Sequence, residues 1–469
     1  MTRSSFALMK PLLIVTSTLV ALAGCGSDSD ETSSLGTSST QGTWDKLGYG
    51  DLIHIEGRIA NYYQYNSQTC VLVDSGSVED LQLLNLVLSE DGDSLLLPGA
   101  SQQFHSVYSR VESLPASCVT PIQHDKQAMF EHVWHTFNEY YGFFAERGVN
   151  WLMQYDEIAP TISNQMSDEA FFSALALMLQ PVDDVHIKLI AEDAAYSPGI
   201  PKGFYQAFLQ EFNEQSAVND IDAYFAQELT KTQLIIEQVY LEEEYQSSGG
   251  INDDLIRWGT IGGEVGYVSI GAFIFDFESS LENQLSRYDE IMGRVLTDLS
   301  QTRALIVDIR LCPGGADPMA LATADYFADD SRLAFTKSTR TVQGESAPRE
   351  FYLNPKPDFG AYTKPVVVIT SGYSASASEV FTLAMRALPN VVHIGEVTIG
   401  ALSDALEKEL PDEWSFHLSN EVYRDVNGEA YENVGITPHI EVGAFEKSAR
   451  DAGQDSALDV ALDYLETRL

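Results

Sequence analysis

Hydrophobic residues along the chain follow three different spacings in succession. From Gly48 to about Ser117, short runs of alternating apolar and polar residues are separated by turns that contain Gly, Asp and Asn. Alternation with a period of two predicts half-buried β-strands. We therefore assign residues 45–120 to a small β module.

From about Asp125 the apolar spacing becomes helical. One predicted helix carries Met129, Val133 and Phe137 on a single face, and a second begins after Ser167. The second helix ends in a segment that runs into the apolar alternation of residues 187–190, so that His186 is predicted to lie at the mouth of a strand. Residues 121–195 are assigned to an N-terminal helical subdomain, and the charged residues 196–257 to a helical insertion.

From Gly262 predicted strands and helices alternate, among them a helix over residues 281–299 and a strand over residues 304–309. The run Leu305–Val307 is apolar throughout, as expected for a strand covered on both faces. Alternation of strands and helices predicts an α/β fold with a largely parallel sheet. Residues 258–469 are therefore assigned to an α/β core that closes with a C-terminal helix.

The first 24 residues have a basic start and an apolar run from Leu12 to Ala23, followed by Gly24 and Cys25. This pattern predicts a cleaved lipoprotein signal peptide over residues 1–24 and a lipid on Cys25. Residues 25–44 are rich in Ser, Thr, Gly and Asp and are predicted to be a flexible tether. Because Gly26 follows the cysteine rather than Asp, we expect anchoring in the outer membrane of a Gram-negative bacterium.

The chain carries 69 acidic and 27 basic residues and a formal net charge of −42. Such a charge argues against nucleic acid and anionic membrane surfaces as partners of the folded part. Contact with the membrane is therefore expected through the lipid anchor alone. The oligomeric state is not predicted.

Besides Cys25, the chain contains three cysteines. Cys70 and Cys118 lie in one polar, turn-rich region, whereas Cys312 lies in a glycine-containing motif of the core. In an oxidising compartment we expect a disulfide between Cys70 and Cys118, although three cysteines allow other pairings. Closing a loop of about 50 residues stabilises the fold by ~4 kcal/mol in the chain-entropy model.

The segment Thr370–Glu379 follows an apolar strand and precedes a helical pattern. A tight turn between a strand and a helix exposes one side chain beside free backbone N–H groups, which suits a nucleophile. Ser376, between Ala375 and Ala377, is the predicted nucleophile. The alternative is a serine that only caps the helix.

A second turn follows the strand that ends at Asp308. It contains Gly314 and Gly315, which allow a sharp turn and offer bare N–H groups to a ligand. Taken alone, a Pro-Gly-Gly sequence is more often a plain turn.

Together these segments resemble the tail-specific (C-terminal processing) peptidase and tricorn family of serine peptidases. The matching stretches are 307–315, 374–379, 395–400, 432–438 and the helical region that ends at His186. The resemblance implies a crotonase-like core. It also implies Ser376 as nucleophile and an oxyanion hole formed by the N–H groups of Ala377 and of Gly314 or Gly315.

The general base is the point at which the sequence departs from the processing peptidases. Their lysine position is occupied by Ala401. The tricorn branch instead uses a histidine and a glutamate, and His186 and Glu432 lie at the matching places. An imidazole can accept the serine proton while a carboxylate orients it. Val185 replaces the serine that precedes this histidine in tricorn, and Lys188 is a second candidate for the base.

These observations predict a cell-envelope serine peptidase that acts on a peptide or protein. Residues 196–255 lack the β pattern of the PDZ domain found in the processing peptidases, so recognition of substrate tails is not assumed. No cofactor is expected, because the sequence contains neither a phosphate-binding loop nor a paired-histidine zinc motif. The alternatives are a catalytically inactive peptide-binding or scaffold protein and an esterase.

Overall fold

The computed structural model describes residues 40–79, 86–99, 102–199, 204–215, 219–243, 245–248, 255–275, 279–356 and 358–468. The signal peptide, Cys25 and most of the tether lie outside these residues. Within them, no helix is both long and apolar enough to cross a membrane.

The N-terminal β module is a seven-stranded antiparallel sheet. Its strands are β1 (Gly42–Lys46), β2 (Asp51–Glu56), β3 (Ile59–Tyr65), β4 (Cys70–Ser77), β5 (Val87–Leu88), β6 (Ser94–Leu97) and β7 (Ser106–Val111), in the spatial order β4-β3-β2-β1-β7-β6-β5. The module begins three residues earlier than predicted, because β1 extends into the end of the predicted tether. Trp44 and Ile53 belong to its core.

A disulfide joins Cys70 to Cys118, as predicted. Both cysteines are buried and pack with Leu52 and Tyr63 beneath the sheet. Cys312 is a free, buried thiol.

The helical subdomain follows the module. It contains α1 (Lys126–Tyr140), α2 (Trp151–Ile158) and α3 (Asp168–Leu179), and then the short strands β8 (Lys188–Ala191) and β9 (Ala194–Tyr196). Each helix begins at a polar residue whose side chain accepts a backbone N–H of the first turn; these are Asp125, Asn150 and Ser167. The predicted apolar faces are buried together with Phe416 of the C-terminal half.

The insertion contains two helices before the chain returns to the core. Its elements are α4 (Phe204–Gln215), α5 (Ile221–Ile235), a π-helical turn (Ile236–Tyr240) and the strand β10 (Gln246–Ser247). Phe204 and Phe208 of α4 pack against Phe445 near the C-terminus. The insertion is therefore attached to the core by an aromatic contact.

The core is a second seven-stranded sheet with helices on both faces. Its remaining elements are β11 (Ile256–Ile261), β12 (Val265–Ile270), α6 (Leu281–Asp298), β13 (Ala304–Asp308), α7 (Asp317–Ala324), β14 (Arg332–Thr341), β15 (Gly344–Glu345), β16 (Arg349–Leu353), β17 (Val366–Thr370), α8 (Ala377–Arg386), β18 (Val391–Gly395), β19 (Ala405–Leu410), β20 (Trp414–Ser419), β21 (Glu421–Arg424), β22 (Ile440–Glu441), α9 (Lys447–Ala452) and α10 (Ser456–Glu466). The sheet order is β10-β11-β12-β13-β17-β18-β22, and the pairs from β12 to β22 are parallel. The predicted α/β fold is thereby confirmed.

Two smaller sheets complete the fold. Strands β14, β15, β16 and β21 form one of them, and the other has the order β19-β20-β8-β9. In the second sheet, His417 of β20 lies opposite Lys188 of β8. Strand β8 of the helical subdomain thus pairs with a strand more than 200 residues later in the chain. This pairing places the segment between α3 and β8 beside the core.

Candidate active site

Ser376 lies at the turn between β17 and α8. Its backbone has φ 54° and ψ −125°, whereas a residue that caps a helix normally has an extended backbone. A left-handed φ at a non-glycine residue stores strain and is typical of a nucleophile elbow. The amide of Ser376 donates to the carbonyl of Ala401 at 2.9 Å and to Glu379 Oε2 at 3.2 Å, so the strained turn is held from both sides.

Glu379, one turn into α8, ties the neighbouring loop to this elbow. Its carboxylate is fully buried and accepts the hydroxyl of Thr398 and the amides of Gly400 and Ala401 at 2.9 and 2.8 Å. Burial raises the pKa of Glu379 to about 7, and the hydrogen bonds it accepts oppose the shift. The loop that carries Ala401 is therefore part of the support of Ser376.

The glycine turn after β13 lies directly against Ser376. Gly314 has φ 120°, and a Cβ built on it would lie 2.8 Å from the Cβ of Ser376 and 2.9 Å from the carbonyl oxygen of Ala375. Gly315 has φ 142° and pairs with Phe273. Among the described backbone hydrogen bonds, the amides of Gly315 and Ala377 have no acceptor, as is needed of donors that bind an oxyanion.

His186 follows a sharp turn at the end of the helical subdomain. Asp183 is left-handed there, with φ 49°, and Asp184 accepts the backbone N–H of His186 at 3.0 Å. The imidazole Nδ1 is buried without a hydrogen-bond partner among the described residues, which leaves Nε2 to act in the cavity. Burial lowers the pKa of His186, while the charges of Asp184 and Asp404 oppose the shift. The ring is therefore neutral, the form a general base needs.

Ser376 and His186 line one cavity of about 1730 Å³ together with Gly314 and Gly315. These four predicted residues, which are up to 190 positions apart in the sequence, are thus brought to one place. Residues of the β module, among them Tyr49, Phe104 and His105, line the same cavity. We refer to this part of the cavity wall as the roof.

Glu432 lies behind the wall of this cavity. Its Oε1 accepts from Arg147 Nη2 at 3.1 Å, and its Oε2 accepts the amides of Leu402 and Ser403 at 2.8 and 3.0 Å. His186 is not among the contacts described for its carboxylate. Burial and the charge of Asp184 raise the pKa of Glu432, while Arg147 and the backbone donors oppose the shift.

The two lysines considered from the sequence have different surroundings. Lys188 lines the cavity two residues after His186. Lys408 is buried, 1% exposed, and pairs with Asp51 of the β module at 2.6 Å. Lys408 thus docks the module on the catalytic half.

Sequence reasoning missed Arg147 and Asp404. Arg147 lies between α1 and α2 and contacts both Asp184 and Glu432. The Asp404 side chain is exposed to the cavity that contains Ser376 and His186. A single charged residue in a loop gives no periodic or motif signal, so neither residue could be selected from sequence alone.

Within the described part of the chain, no group of three or more His, Cys, Asp or Glu side chains is arranged to hold a metal ion.

Two family models match the chain. Residues 264–442 match peptidase family S41, and residues 123–180 match the tricorn protease C1 domain. The first range contains Ser376, Gly314, Gly315 and Glu432, and the second ends six residues before His186.

Similar proteins include two bacterial proteases. The carboxy-terminal-processing protease of Bartonella bacilliformis is 26% identical over 180 residues, which are 38% of this chain and 39% of that protein. The carboxy-terminal processing protease CtpA of Bacillus subtilis is 27% identical over 165 residues, 34% of each chain. The matched region thus spans less than half of either relative.

The fold is shared with a solved structure of a putative peptidase from Parabacteroides merdae. The TM-score is 0.57 at 23% identity, with 73% of this chain and 96% of that chain covered. This similarity shows the fold. The chain therefore carries a domain of peptidase family S41, a family of serine-type peptidases, preceded by a tricorn protease C1 domain.

Proposed function

We propose that this protein is a cell-envelope serine peptidase that hydrolyses peptide bonds through an acyl-enzyme on Ser376, with His186 as general base. The observation that carries the proposal is the strained backbone of Ser376, with φ 54°, at the edge of a cavity that His186 also lines. The family match of residues 264–442 supports peptidase chemistry.

In the first half of the reaction, the Oγ of Ser376 attacks the carbonyl carbon of the scissile amide while His186 Nε2 takes the hydroxyl proton. The amides of Gly315 and Ala377 stabilise the negative charge on the carbonyl oxygen. Protonated His186 then gives its proton to the leaving amine, and the carbon–nitrogen bond breaks. The products of this half are the free amine and an ester on Ser376.

In the second half, His186 takes a proton from water, and the resulting hydroxide attacks the ester carbon. The same two amides stabilise the second oxyanion. The proton returns from His186 to the Oγ of Ser376 as the ester bond breaks. A carboxylic acid leaves, and the free serine is restored.

Glu432 acts on His186 in this proposal through other side chains. Arg147 contacts both Glu432 and Asp184, and Asp184 accepts the backbone N–H of His186. Glu432 thereby helps to fix the turn from which the imidazole projects.

The location is also part of the proposal. A signal peptide over residues 1–24 and a lipid on Cys25 would tether the enzyme to the outer membrane, with a peptide or protein as substrate. The disulfide between Cys70 and Cys118 supports a site outside the reducing cytoplasm.

The test is labelling with a fluorophosphonate, read by intact mass on the soluble form that begins at Gly26. We expect one adduct on the wild type and none, or nearly none, on Ser376→Ala and His186→Ala. Ser346→Ala is the matched control, because Ser346 lines the same cavity wall away from the elbow. It should be labelled like the wild type.

A folded wild type that gains no adduct would contradict the proposal and favour a peptide-binding protein. A labelled wild type that cleaves esters but no peptide of a mixed-sequence library would favour an esterase instead.

A further inference from the structure

Arg147 occupies the centre of a buried cluster behind the catalytic cavity. Its side chain is 7% exposed, and it lies in the turn between α1 and α2. The guanidinium Nη2 contacts Asp184 Oδ2 at 3.3 Å and Glu432 Oε1 at 3.1 Å. Nη1 donates to the carbonyl of Asp183 and, at 3.2 Å, to Asn433 Oδ1. One side chain thus contacts the segment before His186 and the segment around Glu432.

Each of these segments is linked onward to a reacting residue. On one side, Asp184 Oδ1 accepts the backbone N–H of His186 at 3.0 Å. On the other, Glu432 Oε2 accepts the amides of Leu402 and Ser403. These amides directly follow Ala401, whose carbonyl accepts the amide of Ser376 at 2.9 Å. A continuous chain of contacts therefore runs from His186 through Arg147 to Ser376.

The charges of the cluster require this arginine. Asp184 is fully buried, and the side chain of Glu432 is 5% exposed. Arg147 is the cation that contacts both carboxylates among the described residues. A planar guanidinium can contact two carboxylates and two further acceptors at once, whereas an ammonium group is a compact point charge.

We propose that Arg147 is a positioning residue of the peptidase site, which holds the turn of His186 and the loop that supports Ser376 in register by pairing with Asp184 and Glu432. This inference rests on the function proposed above. It assigns to a residue of the helical subdomain a role in the reactivity of a serine on the core sheet.

The ionisable groups that face Glu432 are Arg147, Asp184, Tyr141 and Glu379. Three of them carry or can acquire negative charge, and Arg147 is the cation. Without it, Glu432 would be left with two backbone donors and a buried carboxylate neighbour, so its pKa would rise. A protonated Glu432 would loosen its hold on the 401–403 loop at neutral pH.

The experiment measures the rate of fluorophosphonate labelling of Ser376 from pH 5 to 10. For Arg147→Met we expect a labelling rate about tenfold lower at pH 7. The pH at which the rate rises should be higher than in the wild type by about one unit or more. The double variant Arg147→Met/Glu432→Gln should be slow without the displaced rise. Arg147→Lys should keep the pH profile of the wild type, because it keeps the positive charge. It should react several-fold more slowly, because an ammonium group lacks the planar geometry with which the guanidinium contacts both carboxylates.

Arg386→Met is the matched control. Arg386 also bonds the C-terminal segment, through the carbonyl of Thr437, but contacts neither carboxylate of the cluster. Its labelling rate and pH profile should be those of the wild type. Circular dichroism at each pH establishes that each variant is folded.

Several outcomes would overturn the inference. They are a folded Arg147→Met with the rate of the wild type, a rate lowered equally at all pH values, and an Arg147→Lys that matches the wild type in rate. If Arg147→Met does not fold, the Lys variant alone decides between a positioning role and a structural one. A wild type that is itself unlabelled contradicts the proposed function instead, so the two failures are distinguishable.

Discussion

Two side chains of opposite charge in the cavity wall act on His186. The carboxylate of Asp404 raises the pKa of the imidazole and the ammonium group of Lys188 lowers it. Both residues line the cavity with His186. Substitutions at these two positions therefore offer a way to shift the pKa of His186 in either direction without replacing His186 itself.

We expect Asp404→Asn and Lys188→Gln to displace the acid limb of the labelling rate in opposite directions. With His186 as the proposed base, its neutral form is the reactive one, so the rate should rise as the pH passes through its pKa. Removing the Asp404 charge lowers that pKa and moves the rise to lower pH, whereas removing the Lys188 charge moves it to higher pH. The pH dependence of fluorophosphonate labelling checks both shifts.

Glu407→Gln is the control for these variants, because Glu407 lines the same cavity but pairs with His417. If the folded Lys188→Gln variant is not labelled at any pH, the result would indicate that Lys188 is the base instead of His186. Equal displacements in one direction would contradict the assignment of His186.

At the scale of single residues, the candidates that could be selected from the sequence are those that belong to ordered motifs. Ser376, Gly314 and Gly315 each follow a recognisable strand, and His186 follows a recognisable helix. Arg147 was not identifiable, because its importance depends on two carboxylates that the fold brings to it from residues 184 and 432. Pairing between distant charges leaves no local pattern in a single sequence.

Among the elements, the glycine turn after β13 constrains the site most tightly. A Cβ on Gly314 would lie within 3.0 Å of both Ser376 and the backbone oxygen of Ala375, so the backbone of the elbow or of the turn would have to shift. The positive φ adds strain for any other residue.

We therefore expect Gly314→Ala to lower the labelling rate by about a hundredfold or more, since a displaced elbow moves the nucleophile away from its oxyanion donors. Gly428→Ala is the control: Gly428 also has a positive φ, 85°, but nothing lies within 4 Å of the added Cβ. It should lose a little stability and no reactivity. A Gly314→Ala that reacts like the control would contradict this account.

The elements themselves were largely predictable, and their pairing was not. The helix over residues 281–299 and the apolar strand at 304–309 are found as α6 and β13, within a residue of the predicted bounds. The sheet formed by β14, β15, β16 and β21 was missed. The pairing of β8 with β20 was missed as well, because the register between strands so distant depends on tertiary contacts rather than on periodicity.

At the scale of the whole molecule, the β module is part of the active site. It docks on the catalytic half through the buried pair of Lys408 with Asp51 and through Gln64, which bonds both the carbonyl of Glu407 and the amide of Glu409. Its residues 104–107 line the catalytic cavity. The sequence indicated a module but gave no sign that it covers the cleft.

Part of the roof lies within the loop that the disulfide closes, because Phe104 and His105 fall between Cys70 and Cys118, whereas Tyr49 precedes Cys70. We expect reduction to destabilise the module by ~4 kcal/mol in the chain-entropy model and to loosen the roof. The measurement is the ratio of labelling rates for a bulky and a small fluorophosphonate, which should rise on reduction.

A Cys70→Ala/Cys118→Ala variant should show the raised ratio without reductant, and reductant should not change it further. A ratio that is the same in all four conditions would mean that the module stays closed without its cross-link.

The position of the disulfide also bears on when the enzyme becomes selective. On the proposed location outside the cytoplasm, a chain not yet exported would have the elbow and His186, but the roof that borders them would lack its cross-link. Formation of the disulfide after export would then stabilise the entrance of the cavity and leave the reacting groups unchanged. Maturation, on this view, changes which molecules can reach the serine and leaves its reactivity as it was.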